Sequence, residues 1–303
     1  MALEGGGRYR GVTLNSSPSP PRPFASAAGI LAGVLWGFGD VLSKPVFAAG
    51  TGALTLSSLR GVIGIAFMAA WLKFAPPSGE ISRRQTVIAL FVGLLFGVNV
   101  LSIFNALHYL PVPVAILAYF IYPLMTGLVG AALGLERVNI LSILAALAAF
   151  AGLALMIGAS PASLSAFGLT LAFLAAGVRV AMLLVARSML AGVDGRLTTW
   201  YSSLSSTALL MVMLLATGGW QPPTTAIGGV AMVAMALFSS AAVAFMFIST
   251  MRVGAFRTAL LTNVEPLVST LGAMIFLGES LTTLQGFGAA VMIVALCAFQ
   301  LVR

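Results

Sequence analysis

Four ionisable residues, Asp40, Arg60, Arg179 and Glu265, stand inside long apolar stretches of the chain. Each costs roughly 2.5–3.5 kcal/mol at the centre of a membrane helix, so each requires a partner or a watery cavity. Glu265 is followed at once by Pro266, which puts a charge and a helix-breaker at one point. A related juxtaposition occurs in LAYFIYP (117–123), where Tyr119 and Tyr122 precede Pro123. A proline cannot donate to the carbonyl four residues before it. Pro123 and Pro266 are therefore expected to free the carbonyls of Tyr119 and Thr262, and a free carbonyl near mid-span is an acceptor for an ammonium group. The tyrosines offer flat apolar faces with polar tips, suited to a neutral or aromatic side chain. Packing between helices is the alternative.

Trp36 lies in LWGFGD, flanked by Gly33, Gly37 and Gly39. The Gly33–Gly37 spacing allows close helix approach. Trp36 sits more than a turn below the interface, which favours cavity lining over an interfacial anchor. Asn99, Asn105, Ser239, Ser240 and Asn263 are further cavity candidates, with interhelical hydrogen bonding as their alternative role.

The elements that must position these residues are membrane helices. Of 303 residues 60% are apolar and only 7% charged, against roughly 25% charged in ordinary soluble domains. Such a surplus must face lipid. Ten apolar stretches are each long enough to cross about 30 Å of hydrocarbon. They fall at 24–47, 52–73, 85–107, 112–133, 138–158, 164–187, 197–217, 224–250, 256–277 and 281–301. Open strands cannot satisfy their backbone in lipid, so the fold class is all-α: a polytopic membrane protein of ten transmembrane helices. Residues 1–23, rich in Gly, Pro, Ser and Arg, read as a disordered basic lead-in.

The 15 Lys and Arg residues form no basic run beyond Arg83-Arg84, which argues against nucleic acid as a partner. Twelve fall on the side of the N-terminus, only Lys44 on the other, and two within spans, accounting for all 15. By the positive-inside rule both termini are expected in the cytoplasm. One histidine, His108, and one cysteine, Cys297, leave no disulfide framework, no metal site and no expected cofactor. That set also offers little for an enzyme's nucleophilic or metal chemistry.

At a rise of about 1.5 Å per residue, Asp40 and Arg60 each lie roughly 11–12 Å below the outer ends of their spans. Arg179 and Glu265 each lie roughly 12–13 Å from the inner ends of theirs. Two ion pairs at different depths are therefore expected, Asp40–Arg60 and Arg179–Glu265. They either open alternately as gates or hold helices together permanently. Glu265 could instead be a proton-coupling carboxylate.

The second half of the chain resembles the first at an offset of 143 residues. YPLMTGLVGAALGLERVN (122–139) aligns with EPLVSTLGAMIFLGESLT (265–282), so Pro123 meets Pro266 and Glu136 meets Glu279. Five spans per repeat is an odd number, which forces the halves into opposite orientations. Inverted repeats with matched, interrupted helices are an architecture of secondary transporters, with the substrate site near the midplane.

The two copies of Pro-x12-Glu, each followed by a Gly/Ala-rich helix, resemble EamA repeats of the drug/metabolite transporter superfamily. GVLWGFGDVLSKP (33–45) resembles the segment that opens such a repeat, and LSSLRG (56–61) the element after it. The resemblance spans residues 24–302, as repeats over 24–158 and 164–303, and within the superfamily is closest to YddG-type amino-acid exporters. It implies ten helices around a central cavity and export of aromatic and other neutral amino acids. The second repeat departs from the pattern, with Arg179 where the first has Trp36 and Ser203 where it has Arg60.

The expected function is thus a secondary or facilitative exporter of small metabolites, amino acids first. It would sit as a multi-pass protein of the inner membrane and work by alternating access, with a monomer as the working state. Drugs, nucleotide-sugars and other metabolites are the alternative cargo; an integral-membrane enzyme or a channel fits less well.

Overall fold

A computed structural model describes residues 23–77, 79–110, 112–136, 138–157, 165–277 and 282–301. The basic lead-in up to Arg22, Pro111, Arg137, residues 158–164 and Glu279 lie outside the described residues. The described chain is helical throughout: α1 (Pro23–Ala48), α2 (Ala53–Phe74), α3 (Arg83–Tyr109), α4 (Val112–Tyr119), α5 (Tyr122–Ala132), α6 (Ile140–Ile157), α7 (Ala166–Met189), α8 (Gly195–Thr217), α9 (Ala226–Val253), α10 (Ala255–Leu261), α11 (Val264–Leu277) and α12 (Thr283–Leu301). Eight segments are long and apolar enough to cross a membrane, with α4–α5 and α10–α11 each acting as one crossing. Two shorter apolar helices, Ile140–Met156 and Thr283–Phe299, complete ten.

Local chemistry sets the helix starts. Ser82 opens α3 with a capping box, accepting from the Gln85 N–H while the Gln85 side chain accepts from the Ser82 N–H at 3.0 Å. Ser165, Asp194 and Thr225 cap α7, α8 and α9 in the same way, each with a side-chain oxygen on an early backbone N–H. The two interruptions fall at Phe120–Ile121 and at Thr262–Asn263. In each case the proline sits in the first turn of the helix that follows, where its missing N–H costs nothing.

Alternating crossings sort the helix ends onto two faces. One bears Arg83, Arg84, Arg187, Arg196 and Arg252 and is called the basic face. There Arg196 donates to the Ala75 carbonyl at 2.7 Å, and Arg187 to the Met251 carbonyl at 2.5 Å. On the opposite face the Thr224 N–H and hydroxyl both reach the Ala49 carbonyl, and Gln221 accepts from the Gly52 N–H. The first half starts on the basic face and the second on the opposite one. Helix contacts repeat under exchange of the halves: α1 packs on α9 as α7 packs on α3, while α6 packs on its own counterpart α12.

The core is distributed unevenly. One large cluster fills the basic-face half, with Met182 and Leu183 of α7 and Leu190 just past its end against Met246, Phe247 and Met251 of α9. Toward the opposite face there are two separate clusters, Val46 with Leu56 and Met235 on one flank, and Ala106 with Leu110 and Ala172 on the other. The gap between those two flanks is where the site lies.

Glu136 explains one copy of the repeated motif. Its carboxylate accepts the Ala255 N–H at 2.6 Å, closing the exposed start of α10. Gly254 precedes that start at φ 102°, and a Cβ there would come within 2.7 Å of the same carboxylate. Burial raises the Glu136 carboxyl above its usual range, opposed by the Ala255 N–H. A raised folded-state value means stability is greatest at low pH and falls as pH rises through it. Glu136→Ala is expected to destabilise by about 1–2 kcal/mol through the uncapped helix start. The check is the thermal unfolding midpoint in detergent against pH, where the variant should be lower and its midpoint flatter with pH.

Candidate functional site

The glycines of α1 let its backbone lie against the second interruption. A Cβ at Gly33 would meet the Thr262 carbonyl at 2.7 Å, and one at Gly37 the Glu265 carbonyl at 2.7 Å. Close approach therefore brings Trp36 and Asp40, the next residues along that face, up to the start of α11. The same contact corrects the expected role of the Thr262 carbonyl. It accepts the Glu265 N–H at 3.0 Å and lies under Gly33, so Pro266 leaves no acceptor facing the cavity there.

A cavity of about 200 Å³ opens in the gap, lined by Trp36, Asp40, Arg60, Phe96, Asn99, Val100, Ile103, Phe104, Tyr119, Phe120, Tyr122, Arg179 and Glu265. All four intramembrane charges thus share one chamber. Asp40 is exposed although it lies mid-span, because it faces this gap and not the packed interior. Glu265 lies within Coulombic reach of Asp40, Arg60 and Arg179, and Arg60 within reach of both carboxylates.

Among the described residues, neither expected pair, Asp40–Arg60 or Arg179–Glu265, comes within the 4.0 Å of a salt bridge, although each lies within Coulombic reach. Arg179 instead stacks on aromatics, its Cζ 4.8 Å from the Trp36 ring centroid and 5.6 Å from that of Tyr122. It is only 5% exposed, and its Nε–H has no hydrogen-bond partner. The aromatic faces hold the cation without using its donors. Tyr122 is fixed in turn by Thr262, hydroxyl to hydroxyl at 3.0 Å, and by Tyr119, ring to ring at 5.4 Å.

The repeat explains why these residues meet. Trp36 and Arg179 are equivalent positions at the 143-residue offset, as are Tyr122 and Glu265, and Phe96 and Ser239. Equivalent residues that meet must lie close to the twofold axis relating the halves. For inverted repeats that axis runs in the membrane plane, so the cavity is at mid-depth.

The other candidates divide. Asn99 lines the cavity and is buried, its Nδ2 donating to the Ala175 carbonyl at 2.7 Å. Ser239 and Ser240 line a second, narrower chamber that shares Trp36, Arg60 and Phe96 with the first. Asn263 is buried beside the interruption and lines neither chamber. Asn105 is exposed and donates to the Leu101 carbonyl of its own helix at 2.7 Å, outside the site. Sequence reasoning missed Phe96, Val100, Ile103 and Phe104. They share the helical face of Asn99 at spacings of three and four, a signal indistinguishable from ordinary packing.

Two halves of five crossings around a charged, aromatic cavity at mid-membrane define a polytopic membrane transporter. The chain belongs to the EamA-like transporter family, whose description matches residues 24–158 and 166–299. Among solved structures, one described simply as the crystal structure of a protein aligns with TM-score 0.78 at 20% identity. The alignment covers 92% of this chain and 97% of that one, a likeness of fold alone. No curated protein matches the chain.

Proposed function

We propose that this transporter carries neutral amino acids, outward from the cytoplasm. The observation that carries the reading is the juxtaposition in one cavity of two arginines outside salt-bridge contact, two carboxylates and aromatic walls. A zwitterion answers all three: its carboxylate meets Arg179, its ammonium sits between Asp40 and Glu265, and its side chain lies against Phe96, Phe104 and Tyr119. The volume, about 200 Å³, is below the roughly 300–1,000 Å³ of drug-sized sites, which favours a small metabolite over a drug.

The basic face is the cytoplasmic one by its arginines. In this reading the large packed cluster on that side closes it, and the conformation is taken as open outward. Export then requires an inward-open state in which the seal parts at the Arg196 contacts and the flanking clusters close. Asp40, Arg60, Arg179 and Glu265 serve that change as partners of the substrate and, between cycles, of one another.

The test is flux of labelled leucine, phenylalanine and glutamine by purified protein in liposomes, with and without a pH gradient. Saturable flux above empty liposomes is expected; absence of flux for every amino acid would sink the reading. A change with the gradient would identify proton coupling.

A further inference from the structure

Half of the residues lining the second chamber carry hydroxyl groups: Ser57, Ser203, Ser206, Thr207, Ser239 and Ser240. The chamber lies between α2, α8 and α9, has a volume of about 40 Å³, and adjoins the main cavity through Trp36, Arg60 and Phe96. Of the six hydroxyls that line it, two are satisfied within their own helices: Ser206 donates to the Ser203 carbonyl at 3.2 Å and Ser240 to the Ala236 carbonyl at 2.9 Å. Two others are buried and unpartnered. The Ser57 and Thr207 oxygens, on residues 2% and 6% exposed, have no hydrogen-bond partner. Gly61 makes the room for one of them, because a Cβ there would collide with the Thr207 hydroxyl.

At the mouth stands Arg60, which among the described residues makes no ion pair within 4.0 Å. A buried hydroxyl without a partner is costly. Two such hydroxyls and a guanidinium without a salt bridge beside one small space therefore point to a ligand group that both accepts and donates hydrogen bonds.

We propose that this chamber is a specificity pocket receiving a neutral, hydrogen-bonding substrate side chain, such as a terminal amide; the inference rests on the amino-acid reading above. Size and charge choose the occupant. At roughly 10–15 Å³ per water-sized site, 40 Å³ accommodates about three non-hydrogen atoms, the number in a carboxamide. Asp40 and Glu265 already balance Arg60 and Arg179, and a zwitterionic backbone adds no net charge. A charged side chain would leave the buried site unbalanced, and an apolar one would leave Ser57 and Thr207 unsatisfied.

Glutamine and methionine, close in length and differing in side-chain polarity, are the probes. Wild-type protein in liposomes should prefer glutamine to methionine. Ser57→Ala/Thr207→Val keeps the shape and removes both hydroxyls. It should lower the ratio of glutamine to methionine kcat/KM about tenfold, the size expected for one or two lost hydrogen bonds. The ligand-free unfolding midpoint separates this role from a structural one. Deleting unpartnered hydroxyls should leave it level or raise it, whereas loss of a structural bond would lower it.

A ratio that stays constant while both amino acids are carried overturns the pocket and leaves the amino-acid reading intact. Absence of flux for both amino acids in the wild type overturns both. Gly61→Ala, whose Cβ would displace the Thr207 hydroxyl, should reduce the ratio in the same direction, and an unchanged ratio in that variant counts against the pocket as well.

Discussion

Arg179→Ala should lower the apparent affinity for an amino acid about 100-fold, with the protein still folded. The estimate follows from two charge-assisted hydrogen bonds to a carboxylate at roughly 1.5–3 kcal/mol each, discounted for water replacing the lost partner. The residue is suited to that task because Trp36 and Tyr122 grip its guanidinium by the face, leaving its Nε–H without a hydrogen-bond partner. Arg179→Lys should recover only part of the loss, about tenfold, because an ammonium restores charge without the flat stack or the paired donors. An amino-acid ester, which has no carboxylate, should bind wild type and Arg179→Ala alike. The readout is competition with labelled substrate in liposomes, with the unfolding midpoint as control. Equal losses for acid and ester would assign Arg179 to packing.

Glu265→Gln should cost about 30-fold for amino acids, within the range of one charge-assisted hydrogen bond to an ammonium. Glu265 and Asp40 line the same cavity, and a cation placed between them is attracted by both. A carboxylic acid of the same skeleton without the amine provides the discriminating comparison. Its weaker binding should be insensitive to Glu265→Gln, so acid and amino acid converge in the variant. This is the logic of a double-mutant cycle drawn between protein and ligand. A 30-fold loss shared by both ligands would place Glu265 in the scaffold.

The two effects are coupled by design of the fold. Arg179 belongs to α7 and Glu265 to α11 of the second half, whereas Trp36, Asp40 and Tyr122 belong to the first. In the proposed cycle, a substrate that bridges them would join the halves at the axis about which they rearrange. Such a ligand would have different contacts in the outward-open and inward-open states, and that difference is the requirement for any ligand to shift a conformational equilibrium.

Much of this was legible in the chain alone. Apolar length imposed membrane helices, because a backbone in lipid must satisfy itself. The offset of 143 residues marked the repeat, and an odd number of spans made it inverted. The cost of burying charge singled out Asp40, Arg60, Arg179 and Glu265 without any knowledge of their surroundings. Pro123 and Pro266 announced two interruptions, since proline removes a specific helix bond.

What remained open was partnership. Equal depth suggested Asp40–Arg60 and Arg179–Glu265 as pairs, but depth fixes only one coordinate of three. Rotation about each helix axis and the packing of α1 on α10–α11 supply the others, and they turned Arg179 onto Trp36 and Tyr122. Only the packed structure could show that the Thr262 carbonyl is covered by Gly33, or that Ser57 and Thr207, 150 residues apart, leave two hydroxyls unanswered in one chamber. The sequence determined which groups are too costly to be idle, because that cost is local to each residue. The tertiary structure decided which of them face one another, because facing depends on every helix at once.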